Sequence, residues 1–436
     1  MADKILFTFL SLCVWTSAYG RIAMDPLSIR DFPPIGPGGP ILPIKPIKPL
    51  PPPTGSQEPL DLAFIMDTTG SMSSYIQTAR ENIRRVVDEI VQSSRTDIRF
   101  ALIEYRDHPK EESTFVVRKH DFTSSVSTMK AWLENAQARG GGDLPEAVAD
   151  ALHSGTTLSW RQKAVKIAVL VSDAPPHGLD PSMDNSYPQG SPNSHDPIDM
   201  AHKLSKKGVK LYTVGCEPAI IPYKDFFMAL AYIASGQYIP LDDHKVLIDA
   251  IIGGAKEELS LQQFSADIQR EIQKQQASGG TVDRAQIAKT VFDQLSSQNT
   301  KTTHLLRNNK PLGGPTSGAK AIAATTSLAE ARKVFTKSSA PVSSLKSGFM
   351  PMRRMGGISK MGGMDGISSG ISRRLPSMRM DFVPKMASAP GASSGSGGKE
   401  AFTAVEAAVS LDQIERLVNA EAAKAAAKIA DKPYIQ

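Results

Sequence analysis

Between Leu60 and Phe264 short apolar runs alternate with amphipathic stretches, and this alternation limits the possible folds more than any other feature of the chain. Leu60-Asp-Leu-Ala-Phe-Ile-Met66 and Val165-Lys-Ile-Ala-Val-Leu-Val171 have the length of strands and are apolar almost throughout, as a strand covered on both faces must be. After the first of them, Ile76, Ala79, Ile83, Val86, Val87 and Ile90 recur at helical spacing. Further strands are expected at Ile98 to Tyr105, Phe115 to Phe122 and Lys210 to Gly215. Helices are expected around Val126 to Gln137, from Glu146 to Leu152, and over Ile198 to Lys207, Lys224 to Ala234 and Val246 to Phe264. Strands that alternate with helices are joined by crossovers and therefore run parallel. The expected fold over 58–264 is α/β, a doubly wound, Rossmann-like and mostly parallel sheet.

The flanks read differently. Residues 1–20 begin Met-Ala-Asp-Lys, continue almost entirely apolar from Ile5 to Trp15, and place small residues at Ala18 and Gly20. That pattern predicts a signal peptide and a secreted protein; the alternative is an apolar leader that is not cleaved, on a cytoplasmic one. Residues 21–57 repeat proline at short intervals, as in Pro43-Ile-Lys-Pro46-Ile-Lys-Pro49, which favours an extended spacer. A polar helical pattern is expected over 265–298. Gly, Ser, Met and Arg then dominate 299–400, a stretch expected not to bury enough to order itself. An Ala-rich helix is expected over 401–431. With 41% hydrophobic and 22% charged residues the whole contains one substantial core. The net charge of +6 comes with arginines clustered late, between Arg353 and Arg379, which suggests a basic tail rather than a basic fold. Cys13 and Cys216 cannot pair once the leader is removed, and two cysteines cannot build a Cys-based zinc site. Nothing after the leader approaches the roughly 18 consecutive apolar residues of a membrane span.

The chemistry concentrates where the first strand ends, in Asp67-Thr68-Thr69-Gly70-Ser71-Met72. Asp67 falls at the carboxyl edge of the sheet, where doubly wound folds place their ligands. Gly70 permits a tight turn, so that the hydroxyls of Thr69 and Ser71 can face the same point as the carboxylate. Hard oxygen donors of this kind suit Mg2+ or Mn2+ before zinc. A helix starting near Ser73 would turn its positive end toward such a cation, and the Asp67 carboxylate offsets that field. The other buried strand also ends in an aspartate, in Val169-Leu-Val-Ser-Asp173-Ala-Pro-Pro.

The first segment resembles the D-x-S/T-x-S metal-site motif of von Willebrand factor A domains, and Asp173 matches the family's aspartate at the corresponding strand end. The family's threonine should fall within Gly140-Gly-Gly-Asp143-Leu-Pro-Glu146, where this sequence departs from it. The segment looks instead like the D-x-P-E of integrin beta A-like domains, in which the glutamate contacts the metal. The resemblance thus implies Asp67, Thr69, Ser71, Asp173 and Glu146 as metal ligands, with Asp143 as a further candidate for a neighbouring second cation. Alternatively, Asp143 and Glu146 simply begin a helix. Through Ala174-Pro-Pro-His177-Gly178, His195-Asp196-Pro197 and Val214-Gly-Cys-Glu-Pro218 the chain is similar to the A domains that accompany some atypical alpha-type kinases, over about half its length. The chain beyond Phe264 is too polar and broken for a kinase domain, so no enzymatic activity is carried over.

The resemblance implies a cation-dependent recognition or adhesion module that binds a protein whose acidic residue completes the coordination. The competing reading is a secreted scaffold that acts through its Pro-rich and basic tails. An aspartyl-phosphate phosphotransferase with Asp67 as nucleophile would need a later loop with paired aspartates and a transport domain, whereas the chain offers Ser172-Asp173-Ala-Pro-Pro and no span. His177, His195, Asp196 and His202 lack the spacing of a zinc hydrolase, and no Walker A loop occurs. The basic tail lacks the interleaved aromatics of a nucleic-acid binder.

Overall fold

The structure, a computed structural model, describes residues 59–94, 97–277, 282–338 and 400–430. The leader, the Pro-rich segment and the Met/Gly/Arg-rich stretch after residue 338 lie outside these residues. Six strands form the main sheet: β1 (Leu60–Asp67), β2 (Ile98–Tyr105), β3 (Val117–Thr123), β4 (Val165–Ser172), β5 (Val209–Cys216) and β6 (Tyr238–Leu241). Their order is β3-β2-β1-β4-β5-β6, and every neighbouring pair is parallel except β2 with β3. This is the doubly wound sheet expected from the alternation of strands and helices.

Each apolar run becomes a central strand because both of its faces are covered. In β1 the residues Leu60, Leu62, Phe64 and Met66 point to one layer, and Ala63 and Ile65 to the other. The first layer contains α1 (Ser73–Ser94), α2 (Val126–Asn135) and α6 (Leu247–Gln262). The second contains α3 (Val148–Thr156), α4 (Pro197–Lys206) and α5 (Lys224–Ile233). Asp61 is the polar exception in β1: it is fully buried and takes two bonds from the Arg99 guanidinium, at 3.0 and 2.9 Å, and further bonds from Arg161. It closes the end of the sheet opposite Asp67.

Two expectations are corrected. The stretch 299–400 was expected to lack order, but its first forty residues form β7 (Lys301–Arg307), β8 (Lys310–Pro311), α9 (Ser317–Ala323) and α10 (Leu328–Val334). Ala319, Ile322, Leu328 and Ala331 bury against the second layer. Leu305 and Phe402 join the first. The Ala-rich end is not helical throughout: β9 (Phe402–Ala408) precedes α11 (Leu411–Ala430). β9 pairs antiparallel with β7 in a second sheet of order β8-β7-β9. A strand whose partner lies about a hundred residues away leaves no local periodic signal, which is why composition suggested disorder. The polar stretch after Phe264 forms α7 (Ser265–Ala277) and α8 (Arg284–Ser297), which share a third apolar cluster with Ile414, Leu417 and Val418 of α11.

Candidate metal centre

Parallel neighbours end on the same side, so β1, β2 and β4 deliver their last residues to one edge of the sheet. Strand order reverses between β1 and β4, and the crossovers that leave them pass to opposite faces, through α1 and α4. A crevice therefore opens where Asp67 and Asp173 stand.

Asp67 is fully buried. The Thr69 backbone N–H and hydroxyl both donate to its Oδ1, at 2.8 and 2.6 Å, while Oδ2 has no hydrogen-bond partner. The turn Gly70–Met72 carries Ser71 to the exposed rim, where its side chain bonds Asp173. The two hydroxyls expected from the sequence thus meet the two strand-end aspartates. Glu146 is pinned beside the chain leaving β4: its N–H donates to the Pro175 carbonyl at 2.9 Å, and it forms an isolated bridge with Pro176. Its carboxylate and the Thr69 side chain flank Gly141 together. A Cβ at Gly141 would lie 3.0 Å from Glu146 Oε1 and 3.4 Å from Thr69 Cβ, and the residue's φ of +83° is one that glycine accepts readily. Glu146 is only 3% exposed and its Oε2 has no partner. It does not start the helix, since α3 begins at Val148. Asp143 is half-buried with neither oxygen partnered.

Burial, and then the Asp173 charge, pushes Asp67 up to about 8, with the two Thr69 bonds opposing. Burial raises Asp173 as well, against the Ser71 bond. Glu146 is held well above the usual carboxylate range by burial and then by Asp67, Asp107, Asp173 and Asp143. Burial and the Asp107 charge take Asp143 up to about 7, with His177 opposing. The groups acting on these four carboxylates are hydroxyls, backbone N–H groups, other carboxylates and one imidazole. Buried oxygens with unused lone pairs and mutual repulsion are the environment that a bound cation relieves, so the donor set fits a hard divalent ion.

Two contributors were missed by the sequence reading. Asp107, two residues past the end of β2, is fully buried; its Oδ1 accepts the His108 N–H at 2.6 Å and lies 2.5 Å from His177 Nε2. His177, which lacks a metal-binding spacing in the sequence, is 2% exposed and stands on the chain leaving β4. The available signal was the position of Asp107 at the end of a third apolar strand. Of the other residues without such spacing, Asp196 caps α4 through the Ile198 and Asp199 N–H groups. His195 lies 2.8 Å from Asp150, which also pairs with His108 at 3.1 Å.

Residues 61–237 match the model for the von Willebrand factor type A domain. A curated relative, the alpha-protein kinase vwkA of Dictyostelium discoideum, is 30% identical over 162 residues, 36% of this chain and 25% of that protein. The putative ariadne-like RING finger protein R811 of Acanthamoeba polyphaga mimivirus is 24% identical over 204 residues, 45% of this chain and 20% of that protein. The matches span a quarter or less of those relatives' length. Among solved structures, the vWF domain of the type V pili tip protein Mfa5 from Porphyromonas gingivalis is 13% identical, with a TM-score of 0.32; the match covers 45% of this chain and 95% of that one. The pilus adhesin SpaC from Lactobacillus rhamnosus GG is 12% identical, with a TM-score of 0.36, covering 47% and 31%.

Proposed function

We propose that the von Willebrand factor type A domain of this chain is a divalent-cation-dependent protein-binding module, with its binding point at the carboxyl ends of β1 and β4. The observation that carries the reading is the pair of buried, unpartnered oxygens, Asp67 Oδ2 and Glu146 Oε2, on side chains that repel one another where strand order reverses. Asp67, Thr69, Ser71, Asp173 and Glu146 would hold Mg2+ or Mn2+, with the aspartates and the glutamate supplying charge and the hydroxyls neutral oxygens. The bound ion would supply a Lewis-acidic point to which a partner's carboxylate adds. This chain's residues orient that point: Thr69 locks the Asp67 carboxylate and Ser71 steers Asp173 at the rim. The role is binding rather than catalysis.

Affinity capture of partners with and without chelator tests the reading. Capture should depend on Mg2+ or Mn2+, and changing the partner's contacting Asp or Glu to Asn or Gln should abolish it. Capture indifferent to chelation would favour a scaffold acting through its tails. Sequencing the mature amino terminus would locate the partner: processing near Ala18 or Gly20 places it outside the cell, and an intact Met1 places it inside. Among the described residues no helix is long and apolar enough to cross a membrane.

A further inference from the structure

The second sheet has two edges of opposite character. An edge strand leaves one row of backbone N–H and C=O groups open to another chain, and proteins blunt such edges with short strands, Lys, Pro or bulges. β8 is blunted in this way, since it consists of Lys310 and Pro311. β9 is not: Phe402-Thr-Ala-Val-Glu-Ala-Ala408 contains no Pro or Lys, and its register against β7 runs without a bulge from Lys301↔Ala408 to Arg307↔Phe402. Leu305 and Phe402 join the core under α6, yet Thr403, Ala404, Val405 and Glu406 are exposed, Val405 by 37%. The bonds at the two ends of the pair show which groups face outward. The Val409 N–H donates to the Thr300 carbonyl at 3.1 Å, and the Asn308 N–H to the Ala401 carbonyl at 2.9 Å. Bonding alternates along an antiparallel pair, so the odd-numbered residues of β9 bond β7. The N–H and C=O groups of Phe402, Ala404 and Glu406 point away from it, and among the described residues no strand lies beyond them.

We infer that β9 is the interface for a second copy of this chain, paired antiparallel with its counterpart across a two-fold axis at Val405. In that register the edge is complementary to itself, as a two-fold interface requires. The outward groups of Ala404 exchange bonds with those of the partner's Glu406, and the same exchange recurs on the other side of the axis. Val405 falls between them, in a pair without hydrogen bonds, where side chains are closest, and meets the partner's Val405. Glu406 is the one charged residue of β9, and it stands opposite an alanine. Sliding one copy by two residues in one direction would oppose the two Glu406 carboxylates. Sliding it in the other would set Glu406 against Phe402, whose side chain is buried. The inference goes beyond the proposed recognition site and does not require it, since β9 lies outside residues 61–237 of the A domain.

The test is sedimentation equilibrium of the full chain in chelator, at concentrations from micromolar to millimolar. The wild type should pass from monomer to dimer. Ala404→Pro removes one outward N–H from each copy and none that bonds β7, so it should keep the thermal midpoint and raise the dissociation constant at least about 10-fold. Val405→Asp sets two carboxylates opposite each other on an exposed face and should act in the same direction. A wild type that stays monomeric, or association unchanged in both folded variants, overturns the inference. Cross-linking then reads the register, in a Cys13→Ser background where the remaining thiol, Cys216, is buried. On mild oxidation Val405→Cys should give a disulfide-linked dimer. Thr403→Cys, roughly 14 Å from its counterpart in this register, should not. Equal cross-linking of the two variants, or none in Val405→Cys, contradicts the axis at Val405.

Discussion

Burial, and then the charges of Asp67, Asp107, Asp173 and Asp143, hold the Glu146 carboxyl well above the usual carboxylate range. Glu146→Gln keeps the shape and removes one charge from that repulsion, so without cation its thermal midpoint should equal or exceed that of the wild type. With Mg2+ the wild type should gain more stability than the variant; equal gains, read from paired thermal melts, would remove Glu146 from the ligand set. Cys216 ends β5 in the same neighbourhood, and burial followed by the Asp173 charge pushes its thiol well above the usual range. Thiolate is the reactive form, so labelling of the native protein should be at least about 100-fold slower than in denaturant. Fast native labelling would show that the strand end opens. The meeting of Asp67, Thr69, Ser71 and Asp173 at one edge of the sheet was legible from sequence because each sits within a few residues of a strong apolar strand. The place of His177 beside Asp107 was not, because it depends on a loop that folds back through Gly178 and Asp184, and no local spacing encodes that contact.

The elements after Phe264 are attached to the sheet by buried charge as well as by apolar packing. Glu258 of α6 pairs with Lys210 of β5, accepts from the Tyr212 hydroxyl at 2.6 Å, and meets Arg416 of α11 at 2.7 Å. The Arg416 guanidinium, 13% exposed, also reaches Glu257 at 2.6 Å, and Glu257 accepts the Leu305 N–H of β7 at 3.1 Å. Arg416→Ala removes one partner of a buried network and should cost about 3–5 kcal/mol in denaturant unfolding. Burial alone would raise Glu258, but Lys210 and then Arg416 outweigh it and hold the group at about 2, against an ordinary 4.5. With a folded pKa below the unfolded one, its contribution is present in full above about 4.5 and is lost as pH falls toward about 2. Glu258→Gln should therefore unfold more readily at neutral pH and show a shallower loss of stability across that acid window; urea midpoints at a series of pH values give the slope. An unchanged slope would mean the pair is already broken in solution. The helices of the main domain announced themselves by spacing, as Ile76, Ala79, Ile83 and Ile90 did in α1. β7 and β9 did not, because their pairing joins segments about a hundred residues apart, and α9 and α10 have two turns or fewer in which to show a period.

Among the described residues, the crevice at the reversal of strand order gathers Asp67, Asp173, Glu146, Asp143 and Asp107, and the second sheet and α11 pack on α6. Removal of residues 1–57 should leave the melting midpoint unchanged, given their proline-rich composition. Removal of residues 400–436 should lower it and increase binding of a hydrophobic dye, because β7 loses its pairing with β9 and the third apolar cluster loses Ile414, Leu417 and Val418. Equal midpoints for the two truncated chains would contradict this division. The crevice itself is probed by calorimetric titration of Mg2+ into the metal-stripped full chain, beside Asp67→Asn and Asp173→Ala. The wild type should bind saturably and gain about 2.7 kcal/mol of stability at a hundredfold excess over Kd. Both variants should remain folded and take up no Mg2+ in the same range; undiminished Mg2+ affinity in both would show that the crevice holds no cation through these aspartates.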